Sequence, residues 1–310
     1  MLHVFSTSTA SSRERRQLFR GHDVFNVTQA YRDLLEVKFI LGRPIPPLSP
    51  DEEAEENEIR DETAKYGDVV RLDGLVLGEN MNQGKTWSWI RHVGREGGRQ
   101  AWWVIKCDDD TLPIIPNLLP FLIRQDPSVP TYFGTSLGRW PGYHYYFEGM
   151  MYGFSWGVVK TLATAKVPEL TRNHDMPEDA RIGELMYSLP SDPALCSDKN
   201  LPVLDSTRPG FCDPTRPPPH GWSLPPRSPD PRTGLIRLDL DHKDRTFREP
   251  WAASWRTALA WHWLKSDEDY LAALDMVIEG FKSIGRDYVW AVPKRMMWLA
   301  APSYSEGWES

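Results

Sequence analysis

Ala101-Trp102-Trp103-Val104-Ile105-Lys106-Cys107-Asp108-Asp109-Asp110-Thr111 is a strongly apolar run that ends abruptly in three adjacent carboxylates. Its β-branched and aromatic residues read as a strand from Ala101 to Cys107. Upstream, further strands alternate with helices. Leu2 to Phe5 reads as a first strand, Ser11 or Ser12 caps a basic helix from Arg13 to Arg20, and Val37 to Leu41 reads as a second strand stopped by Gly42 and a proline cluster. Ser49-Pro50-Asp51-Glu52 is a capping box with proline at the first helical position, so a helix runs on to about Lys65. Tyr66 to Val70 leads into a third strand, and Gly84 to Val93 reads as a helix with Trp87 and Ile90 on one side. This alternation predicts an α/β fold, a mostly parallel central sheet with helices on both faces. Ligands of such sheets bind beyond the carboxyl ends of the strands, and the aspartates stand at such an end.

Beyond the aspartates, Leu118 to Arg124 reads as a helix, Pro141 to Tyr152 as an aromatic-rich loop and Ser155 to Ala165 as a helix. Residues 191–233 hold eleven of the 27 prolines, lack hydrophobic periodicity and read as a long irregular loop. Leu235 to Leu240 alternates like a strand. Ser266 caps a helix whose Tyr270, Leu271, Leu274, Val277, Ile278, Phe281 and Ile284 follow helical spacing. The expected organisation is a catalytic core over residues 1–190, the loop over 191–233, and a C-terminal strand and helices over 234–310 that complete the same domain.

The chain has 310 residues, 40 % hydrophobic and 25 % charged, ordinary for a soluble globular protein. A net charge of −7 argues against binding a nucleic-acid backbone, although a metal can neutralise a diphosphate locally. Fourteen tryptophans are many for this length and read as mostly core, with sugar stacking as the functional alternative. Cys107 reads as a buried free thiol. Cys196 and Cys212 flank the proline-rich loop as one candidate disulfide, and no cysteine has zinc-ligand spacing. Asn26-Val27-Thr28 is an N-glycosylation sequon. No stretch approaches the roughly 18 apolar residues of a transmembrane helix. Met1 to Phe5 is too short for a signal peptide, so membrane attachment needs an anchor outside these residues.

In an extended segment, side chains two apart share a face, so Asp108 and Asp110 point to one side and Asp109 to the other. Carboxylate oxygens suit Mn²⁺ or Mg²⁺, and one or two of them plus a substrate diphosphate is a usual arrangement. The plainer alternative is a hydrophilic loop, which has no need of three mutually repelling carboxylates. A phosphatase of the haloacid dehalogenase type would carry Asp-x-Asp-x-Thr; here Thr111 comes one residue early and Leu112 stands two beyond Asp110. Glu178-Asp179 alone reads as a capping pair at a helix start. Its pairing with the upstream aspartates gives it a chemical reading.

Several blocks, in order, resemble the β-1,3-glycosyltransferase family (glycosyltransferase family 31), which includes β-1,3-galactosyltransferases, β-1,3-N-acetylglucosaminyltransferases and Fringe-type enzymes. Glu14 to Arg20 resembles its arginine-rich first helix and Lys38 to Gly42 its second strand. Tyr66 to Val70, Asn82 and Lys85-Thr86 resemble the block leading to its Lys-Thr helix. Val104 to Thr111 is similar to its metal motif, Tyr152 to Ser155 to its Tyr-x-x-Ser stretch, and Glu178-Asp179 with Gly183 to its Glu-Asp-x-x-x-Gly block. The resemblance spans residues 2–190, with a further match near Asp241-His242-Lys243, in a divergent, fungal-like form.

That resemblance implies a GT-A fold, Mn²⁺ (or Mg²⁺), a UDP-sugar donor and inverting transfer of galactose or N-acetylglucosamine to a glycan or glycoprotein acceptor. Asp110 is then the main metal ligand, with Asp108 and Asp109 near the ribose, sugar and metal, and His242 completing the metal sphere. Asp179 is the general base and Glu178 shapes the acceptor side. Arg13 or Arg16, with Lys85, contact the nucleotide or its phosphates. Trp140, Tyr143, Tyr145 and Tyr146 form an acceptor-stacking wall or core, with Gly149 and Tyr152 alongside. Relatives are membrane-anchored in the Golgi lumen. The chain departs from the family at Gly149-Met150-Met151, where consecutive glycines are usual, and the methionines are expected to narrow or reshape the pocket by the donor sugar and acceptor. Two other classes stay in view: a nucleotide-sugar or glycan-binding protein without turnover, and a UDP-sugar hydrolase.

Overall fold

The computed structural model describes residues 1–7, 9–21, 31, 34–73, 75, 81, 84–95, 101–136, 146–164, 177–188, 235–240 and 254–288. In chain order the elements are β1 (Leu2–Phe5), α1 (Ala10–Gly21), β2 (Val37–Gly42), α2 (Pro50–Tyr66), β3 (Val69–Leu72), α3 (Lys85–Arg95), β4 (Trp103–Asp108), β5 (Leu112–Pro113), α4 (Ile115–Ile123), β6 (Thr131–Ser136), β7 (Phe147–Ser155), α5 (Trp156–Thr164), α6 (Glu178–Ser188), β8 (Ile236–Asp239), β9 (Ala260–Trp261) and α7 (Asp267–Ser283).

Seven strands form one sheet in the order β3-β2-β1-β4-β7-β6-β8. Every ladder is parallel except those of β7 with β4 and β6. The alternation of β4 divides the interior in two. Trp103, Ile105 and Cys107 join a core with Phe19 of α1, Ile59 of α2, Leu118 of α4 and Leu274 of α7. Val104 faces the other core, with Trp89 of α3, Val159 of α5 and Ile182 of α6. The fold is therefore three layers, a mostly parallel sheet between two sets of helices. A second sheet, β5 paired antiparallel with β9, matches Leu112 to Trp261 and Pro113 to Ala260.

Local chemistry starts and stops these elements as the sequence indicates. Ser49 and Glu52 form the reciprocal capping box of α2, and Gly67 ends it at φ 67°. Ser266 caps α7 by accepting from the Asp269 N–H. Helix α1 begins at Ala10, ahead of the expected serines, because Thr9 Oγ1 takes the Ser12 N–H.

Two elements differ from the sequence reading. Phe147–Ser155 is a strand rather than the end of a loop, and Thr131–Ser136 is a strand that the sequence reading passes over. Glycines explain both. A Cβ on Gly153 would lie 2.3 Å from the Phe133 ring, and one on Gly134 would lie 2.5 Å from Phe147 Cβ. Residues that look like loop punctuation here let aromatic side chains of the neighbouring strand lie across the backbone. The sequon at Asn26, Trp140, Tyr143, Tyr145, His242, the 191–233 loop and its two cysteines lie outside the described residues.

Candidate active site

The carboxyl ends of β1 and β4 meet side by side, Phe5 opposite Asp108. Ser6 and Thr7 continue from β1 into α1, and Asp109 and Asp110 continue from β4 toward β5. A cavity of about 460 Å³ opens between these ends, with Lys85 on one side and Lys265 and Asp267 on the other.

The basic side chains nearby divide between those that line it and those that do not. Arg16, expected at the nucleotide, is fully buried: its guanidinium makes a two-pronged contact with Glu62 (2.8 and 2.7 Å) and donates to Ser6 Oγ and the Thr7 carbonyl. It holds the β1–α1 turn rather than a ligand. Arg13 pairs with Glu58 on the outer side of α1. The arginine that lines the cavity is Arg15. Asp267 holds Arg15 Nε at 2.9 Å and the Lys265 carbonyl accepts from Nη2 at 3.1 Å, while its buried Nη1 has no hydrogen-bond partner. An arginine clamped this way presents a donor to an anion. Lys85, also expected at the nucleotide, lines the cavity and donates to the Ser6 carbonyl.

The aspartates end in a cluster of metal-ligating atoms. Asp108, Asp110 and His262 each offer one such atom, all within 4.8 Å of one another. His262 follows β9, so the β5–β9 ladder carries it to Asp110: Leu264 N–H donates to the Asp110 carbonyl at 3.0 Å, and His262 Nε2 lies 3.2 Å from Asp110 Oδ1. The donor set, two carboxylates and an imidazole, suits a small divalent cation such as Mn²⁺. Buried His262 Nδ1 has no hydrogen-bond partner, while buried Asp108 Oδ1 and Asp110 Oδ2 are met by the ammonium groups of Lys106 and Lys265. Burial pushes the Asp110 carboxyl up, but His262 and Lys265 outweigh it and hold the group well below the usual carboxylate range. Burial raises both Asp108, against the opposing pull of Lys106, and Asp109. Nothing in the sequence around His262 marks it; only the ladder gives it a role.

Lys106 joins this cluster to a second one. Its ammonium lies 2.5 Å from Asp108 Oδ1 and 3.2 Å from Glu178 Oε1, and it donates to the Gly149 carbonyl. Glu178 and Asp179 form the first turn of α6. Glu178 is buried and also accepts from the Tyr152 hydroxyl at 2.9 Å. Asp179 is half-buried; Oδ2 accepts from the Gly149 N–H at 3.0 Å and Oδ1 from the Ala180 N–H at 2.8 Å. Burial raises both carboxyls above their ordinary values, most simply for Asp179, which has no direct cationic partner among the contacts described. A half-exposed carboxylate with a raised pKa, fixed by two backbone donors, has the properties of a general base.

Two expectations on the acceptor side are corrected. Tyr152 is fully buried against Tyr132 and Phe154, so it offers no surface to a ligand and acts only through Glu178. Met150 and Met151 are each 2 % exposed and pack into the core, so they do not narrow the pocket. Gly149 bridges Lys106 and Asp179 through its backbone.

No protein-family model matches the chain. Among solved structures, the galactosyltransferase LgtC in complex with donor and acceptor sugar analogs is similar at 16 % identity and a TM-score of 0.28, over 52 % of this chain and 59 % of that one. The chain thus spans less than two thirds of that protein's length, and likeness at this score carries no inference about function.

Proposed function

We propose that this protein is an inverting, metal-dependent glycosyltransferase of GT-A type that takes a UDP-sugar, galactose or N-acetylglucosamine, and transfers the sugar to a hydroxyl of a glycan or glycoprotein. One observation carries the reading. A cavity with a clamped arginine and a buried lysine ends in Asp108, Asp110 and His262, and Lys106 links that cluster to the raised carboxylate of Asp179.

The cavity suits a nucleoside diphosphate, with Arg15 and Lys85 supplying donors to its anionic part. Asp108, Asp110 and His262 would hold a divalent ion, which would offset negative charge on the departing diphosphate. Asp179 accepts the proton of the acceptor hydroxyl as that oxygen bonds to the anomeric carbon and the bond to UDP breaks, which inverts the centre. Glu178, locked between Lys106 and Tyr152, positions Asp179 rather than reacting itself. The narrower assignment, a β-1,3-linkage made in the Golgi lumen, rests on the sequence resemblance alone. Among the described residues no helix is long and apolar enough to cross a membrane.

The test is thermal melting with Mn²⁺ and a panel of UDP-sugars, followed by transfer assays on glycan acceptors. A ligand at a hundred times its Kd should stabilise the native state by about 2.7 kcal/mol. Asp110→Ala should abolish the Mn²⁺-dependent rise. Asp179→Asn should keep that rise and lower kcat by about 10²–10⁴-fold. If no UDP-sugar raises the melting temperature of the folded protein, the proposal fails. If Asp179→Asn transfers at the parent rate, its assignment of the base fails.

A further inference from the structure

Asp110 is already occupied by a cation of the chain itself. One short segment embraces its carboxylate: His262 Nε2 faces Oδ1 at 3.2 Å, and the Lys265 ammonium contacts Oδ2. The Lys265 backbone is pinned on both sides. Leu264 N–H donates to the Asp110 carbonyl, and the Lys265 carbonyl accepts from Arg15. Its side chain is free to leave, being 60 % exposed where that of Asp110 is 10 % exposed.

Lys106 is the opposite case. Its side chain is fully buried and held by Asp108, Glu178 and Gly149, so it stays in place. The aspartate cluster thus has one permanent ammonium and one exchangeable ammonium. A divalent ion ligated through Asp110 would stand within a few ångströms of the ammonium on the same carboxylate, and two cations repel at such range. The displaced ammonium has a place to go. Lys265 lines the same cavity as Arg15 and Lys85, and its Nζ lies 4.6 Å from the exposed ring of Trp263.

We infer that Lys265 is a tethered cation that holds Asp110 until a divalent ion arrives, competes with that ion for the carboxylate, and on displacement turns to the phosphate of the ligand in the adjoining cavity. The inference rests on the metal site and diphosphate cavity proposed above. It makes ion binding and anion binding cooperative through one side chain. Binding the ion releases the ammonium, and the anion then gives that ammonium a partner.

The experiment is a Mn²⁺ titration of the parent, Lys265→Gln, Lys265→Arg and Asp110→Asn, read by calorimetry and by the paramagnetic resonance signal of free Mn²⁺. UDP is then titrated at saturating Mn²⁺. Lys265→Gln should bind Mn²⁺ about tenfold tighter, as expected when a competitor holding the site about nine-tenths of the time is removed. The same variant should bind UDP several-fold more weakly. Lys265→Arg should resemble the parent in both titrations. Opposite signs for the two ligands distinguish this role from a simple phosphate contact or a structural one. Equal or weaker Mn²⁺ binding by Lys265→Gln, with the parent binding Mn²⁺ and Asp110→Asn not, overturns the inference and leaves the metal site standing. Mn²⁺ binding by neither the parent nor Lys265→Gln overturns both.

Discussion

Lys106 keeps its charge in the interior. Burial pulls its pKa down, but Asp108 and Glu178 more than reverse that pull, so it stays protonated at neutral pH. Removing it would leave buried Glu178 and half-buried Asp108 without the cation they share. Lys106→Met should therefore cost about 3–5 kcal/mol in urea unfolding, and Lys106→Met with Glu178→Gln should recover part of that loss. The sequence placed Lys106 beside the aspartates but gave no reason to expect that it reaches α6. It did bring Asp108, Asp110 and Asp179 forward as candidates, because acidic residues at a strand end and at a helix start are visible in one dimension. His262 was invisible for the opposite reason: a histidine between two tryptophans has no local pattern that distinguishes a ligand from core. Arg15 was passed over in favour of its neighbours Arg13 and Arg16, since which of three close arginines faces the cavity depends on how α1 is rotated against the sheet.

Elements are positioned by close approaches that single residues permit. Helix α3 crosses α5 at Gly94, where an added Cβ would lie 2.4 Å from Ala163 Cβ and 3.0 Å from the Val159 carbonyl. Gly94→Ala must push the two helices apart, and overpacking of this kind costs about 1–3 kcal/mol, measurable as a lower urea midpoint with an unchanged m-value. Ser49→Ala removes half of the capping box of α2 and should cost about 1 kcal/mol by the same measurement, with no effect on Mn²⁺ binding. Both helices were legible in advance. Caps and proline placement are local chemistry, whereas β6 and β7 were not legible, because their glycines serve cross-strand aromatic packing.

At the scale of the whole molecule, two groups of carboxylates give stability opposite pH dependences. Burial pushes Glu62 up, but Arg16 and Arg20 outweigh it and leave its pKa below the ordinary 4.5. Its contribution is fully present above 4.5 and is lost as pH falls through the lower folded value. Glu178 and Asp179 have raised pKa values, so the native state takes up their protons first, and their contribution to stability grows as pH falls from neutral through those values. Urea unfolding against pH should therefore show stability rising on mild acidification and falling below about pH 4.5. Glu62→Gln should lower stability overall, because it weakens the partner of buried Arg16, and should flatten the acid fall.

By itself the sequence determined the alternation of strands and helices through residue 110, and hence a mostly parallel sheet. It also put three aspartates at the carboxyl end of a central strand and Glu178-Asp179 at the start of a helix. These follow from periodicity, caps and composition, which act over a few neighbouring residues. Only the tertiary structure decided that His262 joins Asp108 and Asp110, that Arg16 and Tyr152 turn inward, that Met150 and Met151 fill core, and that Lys265 lies on Asp110. Each of those depends on a pairing between distant segments, such as β5 with β9, whose partner and register are set by packing across the whole sheet rather than by the residues beside it.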